Sequence, residues 1–315
     1  MKKTIELKGV DLQTLLGVAD SNIRLLNETF STKILIRGNN VTLDGDKNDV
    51  ELVHEIIYEM IQTLSRKGSL TKKDVLQLIK VIRSENGHSV DVPKDVIHYG
   101  KKGAIVPRTE GQKKYAHICN KNDIVFSIGP AGTGKTFLAV AFAVAALENH
   151  DVDRIILSRP AVEAGESLGF LPGDLKEKVD PYLTPLYDAL NEIMPANKLK
   201  LILKKNVIEI VPLAYMRGRT LNNAFLILDE AQNSTPMQMK MFLTRLGVNS
   251  KGIITGDITQ IDLPRRSDSG LIDVINVLKG VDGIGFVKLD ETDVVRHKLV
   301  RDIIIAYDKA NDKKS

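Results

Sequence analysis

A chain of 315 residues, 43% hydrophobic and 27% charged, has the composition of a globular protein and length enough for about two domains. Its single cysteine, Cys119, excludes an internal disulfide framework and a Cys-rich metal site, and no apolar run approaches the ~18 residues that span a bilayer. Basic side chains number 44 and acidic ones 40, a net charge of +4 that permits a nucleic-acid partner without demanding one. Met1-Lys2-Lys3 is not followed by the apolar core of a signal peptide, so a cytoplasmic protein is expected.

Residues 4–8 read as a strand, 12–16 and 22–30 as short helices, and 32–37 and 41–44 as strands around the hairpin signal Gly38-Asn39-Asn40. Between 49 and 64, apolar residues at 50, 52, 53, 56, 57, 60, 61 and 64 take helical spacing. A further helix over 72–83 closes a small α+β domain spanning residues 1–83, with the order β-α-α-β-β-α. From 84 to 109 the periodicity disappears and Gly, Pro, His and Lys accumulate, which predicts a linker or extended arm.

Strands are then expected at 123–128, 154–158, 207–211, 224–228, 252–255 and 284–289. Helices at 135–148, 185–203, 236–246, 269–278 and 293–308 alternate with them. That alternation predicts an α/β domain over 110–310, a parallel sheet with helices on both faces. Residues 311–315 read as a disordered tail.

Gly129-Pro130-Ala131-Gly132-Thr133-Gly134-Lys135-Thr136 matches G-x-x-x-x-G-K-[ST] between a predicted strand and a predicted helix. Glycines let backbone N–H groups wrap a phosphate, and the helix N-terminus adds its dipole. Lys135 would reach the β- and γ-phosphates, and the Thr136 hydroxyl would hold Mg²⁺. The apolar run Phe225-Leu226-Ile227-Leu228 delivers Asp229 and Glu230 to a strand end. Asp229 suits the metal-holding role, and Glu230 suits a base that orients or deprotonates water. A small-molecule kinase would have no use for that second carboxylate.

Gln260 lies in the loop after the predicted strand 252–255. If that strand lies beside the phosphate-loop strand, a neutral amide there can sense the γ-phosphate and move the segment that follows it.

GPAGTGKT, LDEAQN and TGDITQ resemble the nucleotide-binding motifs of superfamily 1 helicases, and Gln112 resembles their upstream glutamine that reads the adenine edge. More narrowly, SRPAVEAGESLGFLPGDLKEKVDPY (158–182), YMRGRTL (215–221) and DVVRHKLV (293–300) resemble the PhoH family of bacterial ATPases. That resemblance covers about residues 100–310, and residues 1–85 look similar to the N-terminal region of family members without a nuclease domain. It implies a RecA-like P-loop NTPase fold, ATP and Mg²⁺ as cofactors, and hydrolysis coupled to RNA, with an endoribonuclease as partner in ribosomal RNA maturation.

A superfamily 1 helicase has two RecA-like lobes, and this chain has room for one. The arginine that completes the site must then come from elsewhere on the chain or from a neighbouring copy, with Arg217, Arg219, Arg265, Arg266 and Arg296 as candidates. A homo-oligomeric ring, a hexamer by preference, is expected. Arg159, Glu163, Glu166, Lys176 and Lys178 fall in the 158–182 segment, which suits either nucleic-acid contact or subunit contact. The N-terminal element order resembles a KH-type RNA-binding domain, but Gly17-Val18-Ala19-Asp20 stands where such domains carry G-x-x-G. Asp20 would repel a phosphate. The six histidines show no metal-ligand spacing.

Overall fold

The computed structural model describes residues 1–84, 95–160 and 175–295. The N-terminal unit runs β1 (Lys2–Glu6), α1 (Leu12–Leu16), α2 (Ser21–Thr29), β2 (Lys33–Arg37), β3 (Asn40–Asp44), α3 (Lys47–Lys67) and α4 (Lys72–Ser84). Its antiparallel sheet has the order β1-β3-β2. The Asp46 carboxylate caps α3 by accepting from Asn48 N, and Gly68 at φ +71° ends it. Between those ends Val50, Val53, Ile56, Ile57, Met60, Ile61 and Leu64 are buried against the sheet, so the helical spacing reads directly as a core face.

Residues 95–109 correct the expectation of a loose arm. β4 (His98–Gly100) and β5 (Gly103–Ile105) form an antiparallel hairpin. Val96 and Tyr99 enter the N-terminal core, while Ile97 enters the core of the second unit. Tyr99 packs edge-to-face on Tyr58 at 6.3 Å between ring centroids. Three-residue strands are too short to show an alternation, which is why the sequence pattern missed them. His98 lies against Gly9, where a Cβ would come within 2.2 Å of His98 Nδ1. Gly9 N also donates to Asn149 Oδ1 at 2.9 Å, which ties the N-terminal unit to the second one.

The second unit comprises α5 (Glu110–Lys121), β6 (Ile124–Ile128), α6 (Lys135–Glu148), β7 (Arg154–Arg159), α7 (Leu175–Ile193), α8 (Ala196–Lys204), β8 (Ile208–Pro212), β9 (Ala224–Leu228), α9 (Pro236–Leu243), β10 (Lys251–Gly256), α10 (Gly270–Val277) and β11 (Ile284–Lys288). The six strands are parallel, in the order β11-β6-β10-β9-β7-β8. Helices cover both faces, as the alternation predicted. On β9, Phe225 and Ile227 face the core built with α6 and α7, while Leu226 and Leu228 face α9 and α10.

Helix α5 escaped the sequence reading because its inner face is Gln112, Tyr115 and Cys119, with little aliphatic signal. The stretch expected as one helix over 185–203 is two, broken at Met194-Pro195, where the proline ring cannot continue the preceding turn. The start of the helix expected over 293–308 is corrected: a short helical turn at Glu291–Asp293 ends there and Val294 is extended, while residues from 296 on, with the expected tail, lie outside the described ones. Among the described residues, no helix is long and apolar enough to cross a membrane.

Candidate nucleotide site

Because the strands are parallel, β6, β10, β9 and β7 all end at one edge of the sheet. They deliver Gly129, Asp257, Asp229 and Arg159 there. The loop after β6 is fitted tightly to its surroundings. Gly129 N donates to Gly256 O at 3.1 Å, and a Cβ on Gly129 would lie 2.5 Å from Leu289 O. Gly132 and Gly134 both sit at φ +83°, the left-handed region that favours glycine. Thr133 Oγ1 donates to Pro130 O at 2.9 Å and closes the loop on itself.

Helix α6 starts from Gly134 without a side-chain cap, so its first-turn N–H groups serve the loop's concavity. Lys135 Nζ donates to Gly129 O at 2.7 Å and Pro130 O at 2.8 Å, which lays the ammonium along the same loop. A phosphate-sized anion matches this donor set, made of backbone N–H groups and one cation.

Asp229, 3% exposed, stands at the end of β9. Its Oδ1 accepts from Thr136 Oγ1 at 2.7 Å and from Thr255 Oγ1 at 2.6 Å. Hydrogen bonds to a charged acceptor contribute about 1.5–3 kcal/mol each, so three separate segments converge on one oxygen. Hydroxyl and carboxylate are hard oxygen donors, and Thr136 and Asp229 are the residues that would hold Mg²⁺.

Glu230 follows in the left-handed region at φ +52°. Arg159 Nη2 lies 3.4 Å from its Oε1, and Gln232 Nε2 donates to its Oε2 at 2.6 Å. Arg159, one of the residues expected to meet phosphates, also donates from Nη1 to Tyr182 O at 3.0 Å.

Strand β10 does lie beside β6, the condition on which the Gln260 reading depended. The Gln260 side chain is exposed, and its main chain is held: Gln260 N donates to Asp257 O at 3.1 Å, and Gln260 O accepts from Gln232 Nε2 at 3.0 Å. Gln112 is 4% exposed, and its amide bridges Arg108 N at 2.8 Å and Thr133 O at 3.0 Å. It supports the phosphate loop from below while keeping one donor and one lone pair unused by these two bonds. A cleft of about 390 Å³ opens beside it, walled by Gln112, Arg108, Gly132, Gly134, Phe137 and hairpin residues of β4 and β5. A larger cavity, about 730 Å³, lies at the opposite edge by the strand starts at Asp123, Lys251 and Gly252, away from the phosphate loop. The smaller cleft is the one adjoining the chemistry.

The candidate arginines divide. Arg219 forks onto both oxygens of Glu209 at 3.0 Å, and Arg265 pairs with Asp268 at 3.1 Å. Arg217 and Arg266 are exposed. Arg296, Glu163, Glu166 and the side chains of Lys176 and Lys178 lie outside the described residues. No cluster of metal-ligating side chains occurs among the described residues.

Several residues at the site went unnoticed in the sequence. Thr255 and Gln232 lie within TGDITQ and LDEAQN, where no local pattern distinguishes them from ordinary polar residues. Asp293, 4% exposed, accepts from Gly111 N at 3.0 Å and Asp290 N at 3.0 Å, and Val295 N donates to Gly132 O at 3.0 Å. The segment after β11 thus fastens the start of α5 to the phosphate loop. No local pattern could signal that.

A loop of this form at the head of a parallel sheet, with a strand-end carboxylate bonded to the loop's threonine, is the arrangement by which P-loop NTPases are defined; this chain has their fold. The PhoH-like protein family model matches residues 104–308. A PhoH-like protein of Bacillus subtilis (strain 168) is 50% identical over 300 residues, 95% of this chain and 94% of the relative. One from Mycobacterium tuberculosis (strain ATCC 25618 / H37Rv) is 50% identical over 297 residues, 93% of this chain and 84% of that protein. Protein PhoH of Escherichia coli (strain K12) is 47% identical over 205 residues, covering 64% and 58%. The chain belongs to the PhoH-like family. Among solved structures, the Sulfolobus solfataricus SWI2/SNF2 ATPase core in complex with dsDNA aligns with a TM-score of 0.36 at 12% identity, over 64% of this chain and 46% of that one, too distant to bear on the argument.

Proposed function

We propose that this chain is an Mg²⁺-dependent ATPase whose turnover is coupled to RNA. The observation that carries the reading is the convergence of Thr136 and Asp229 at 2.7 Å, with Glu230 next in the chain. Lys135 and the N–H groups of 131–134 hold the terminal phosphates, and Thr136 and Asp229 hold the metal. Bound Mg²⁺ would neutralise charge on the phosphate oxygens. Glu230 orients and deprotonates water, Gln260 reports the γ-phosphate, and the cleft beside Gln112 and Phe137 takes the base.

The partner reading goes further. RNA is the proposed nucleic acid, an endoribonuclease the proposed companion, and the cytoplasm the proposed setting. The described residues form one such lobe, and a homo-oligomeric ring, hexameric by preference, would bring an arginine to it in trans. Arg219 and Arg265 are held by their own acids, which leaves Arg217 and Arg266 as better candidates among the described residues. A second reading, a nucleotide-gated scaffold with slow hydrolysis, draws support from the cation that Arg159 places on Glu230.

Phosphate release from ATP, with and without single-stranded RNA, separates these readings. RNA-accelerated release that Glu230→Gln abolishes supports the coupled ATPase. Slow, Glu230-dependent release indifferent to RNA supports the scaffold. Gel filtration showing only monomer with ATP bound and turnover intact would remove the ring.

A further inference from the structure

The carboxylate of Glu230 is set by a neighbour two residues on. Gln232 is 1% exposed, and all three of its side-chain hydrogen bonds go to functional segments. Nε2 donates to Glu230 Oε2 at 2.6 Å and to Gln260 O at 3.0 Å, while Oε1 accepts from Asp257 N at 3.0 Å. An amide NH₂ has two hydrogens, and here each faces an oxygen. The flipped amide would set oxygen against oxygen and N–H against N–H, so the orientation is determined.

Its surroundings are shaped to admit it. A Cβ on Gly256 would lie 2.9 Å from Gln232 Oε1, and Ser269 Oγ donates to Gln232 O at 2.7 Å. Asn233 repeats the grip one residue later, donating to Asp262 Oδ2 at 3.1 Å and accepting from Asp262 N at 2.8 Å.

We propose that Gln232 is a positioning residue: it aims Glu230 and carries the state of the 257–262 segment to that carboxylate. The proposal rests on the ATPase reading above. A buried amide that loses a partner leaves a donor unpaired, which is costly. Displacement of the Gln260 peptide when its side chain meets a γ-phosphate would therefore re-aim the NH₂ group and with it Glu230.

The test uses the full chain with Mg-ATP, following phosphate release at saturating ATP and affinity with a fluorescent ATP analogue. Gln232→Met keeps the volume and removes every donor. It is expected to lower kcat by at least about tenfold while affinity stays within about threefold. An unchanged kcat, or a loss of affinity as large as the loss of kcat, would overturn the positioning role.

Gln232→Glu, of equal size, serves if the methionine chain does not fold; it places an acceptor against Glu230 and Gln260 O, and the same loss of kcat is expected. Hydrogen exchange in the unaltered chain needs no variant. A non-hydrolysable ATP analogue should change residues 228–234 and 256–262 together, and a change confined to one segment overturns the coupling. If the unaltered chain fails to hydrolyse ATP, the ATPase reading falls and takes this role with it.

Discussion

Thr136 Oγ1 donates to Asp229 Oδ1 at 2.7 Å, joining residues 93 positions apart. The loop threonine and the strand-end carboxylate are thus placed side by side, as the proposed metal site requires. Asp229→Asn keeps the shape and removes the charge. It should lower Mg²⁺-dependent nucleotide affinity at least about tenfold, while affinity measured in excess EDTA stays close to that of the unaltered chain. Titration with a fluorescent ATP analogue under both conditions checks this.

Lys135 and Glu230 should fail differently. Lys135→Met removes the loop's cation and is expected to weaken ATP binding. Glu230→Gln should leave binding in place and reduce turnover by about 10²- to 10⁴-fold, the range for a lost general base. Binding titrations beside phosphate release separate the two, and equal loss of affinity in both variants would contradict the assigned roles.

Arg159 pairs with Glu230 at 3.4 Å, with about a third of the Glu230 side chain exposed. The guanidinium occupies one oxygen of the Glu230 carboxylate and so competes with a water for it, while the amide of Gln232 holds the other. An exposed pair contributes at most about 1 kcal/mol, so Arg159→Met should raise RNA-free turnover by no more than about fivefold. Arg159→Lys, which keeps the charge, should change it less. A fall in turnover with Arg159→Met would show that the pair supports the reaction instead.

His98 carries a pH dependence into the junction between the two units. Burial, helped by the charge of Lys198, pushes its imidazole from the usual 6.5 down to about 3. The unfolded chain then binds the extra proton between those values, so stability is whole above pH 6.5 and declines as pH falls toward about 3. The slope from one such group reaches about 1.4 kcal/mol per pH unit. His54, lowered to about 4 by burial and Lys3, adds to the same trend. Thermal melts between pH 7 and 5 should therefore show His98→Leu losing less stability than the unaltered chain as pH falls, and equal losses would contradict the assignment.

The elements that announce themselves through period and chemistry were legible in the sequence. The apolar face of α3, the six-strand alternation, the glycine pattern of 129–136 and the Asp229-Glu230 pair each follow from local rules of spacing and side-chain type. Those rules act over a helical turn or a strand pair, so a linear reading can find them.

What the sequence left open depends on which distant segments meet. Hairpin β4–β5 is too short to carry a period, and α5 buries a glutamine where a helix face would be aliphatic. Asp293 meets Gly111 only once β11 has paired with β6, and Gln232 meets Asp257 and Gln260 only once β10 lies beside β9. Tertiary packing decided that Arg219 belongs to Glu209, that Arg159 lies on Glu230, and that one buried amide ties Glu230 to the Gln260 loop. A polar side chain's partner is set by the three-dimensional path of the chain, because burial obliges it to bond with whatever the fold brings within reach.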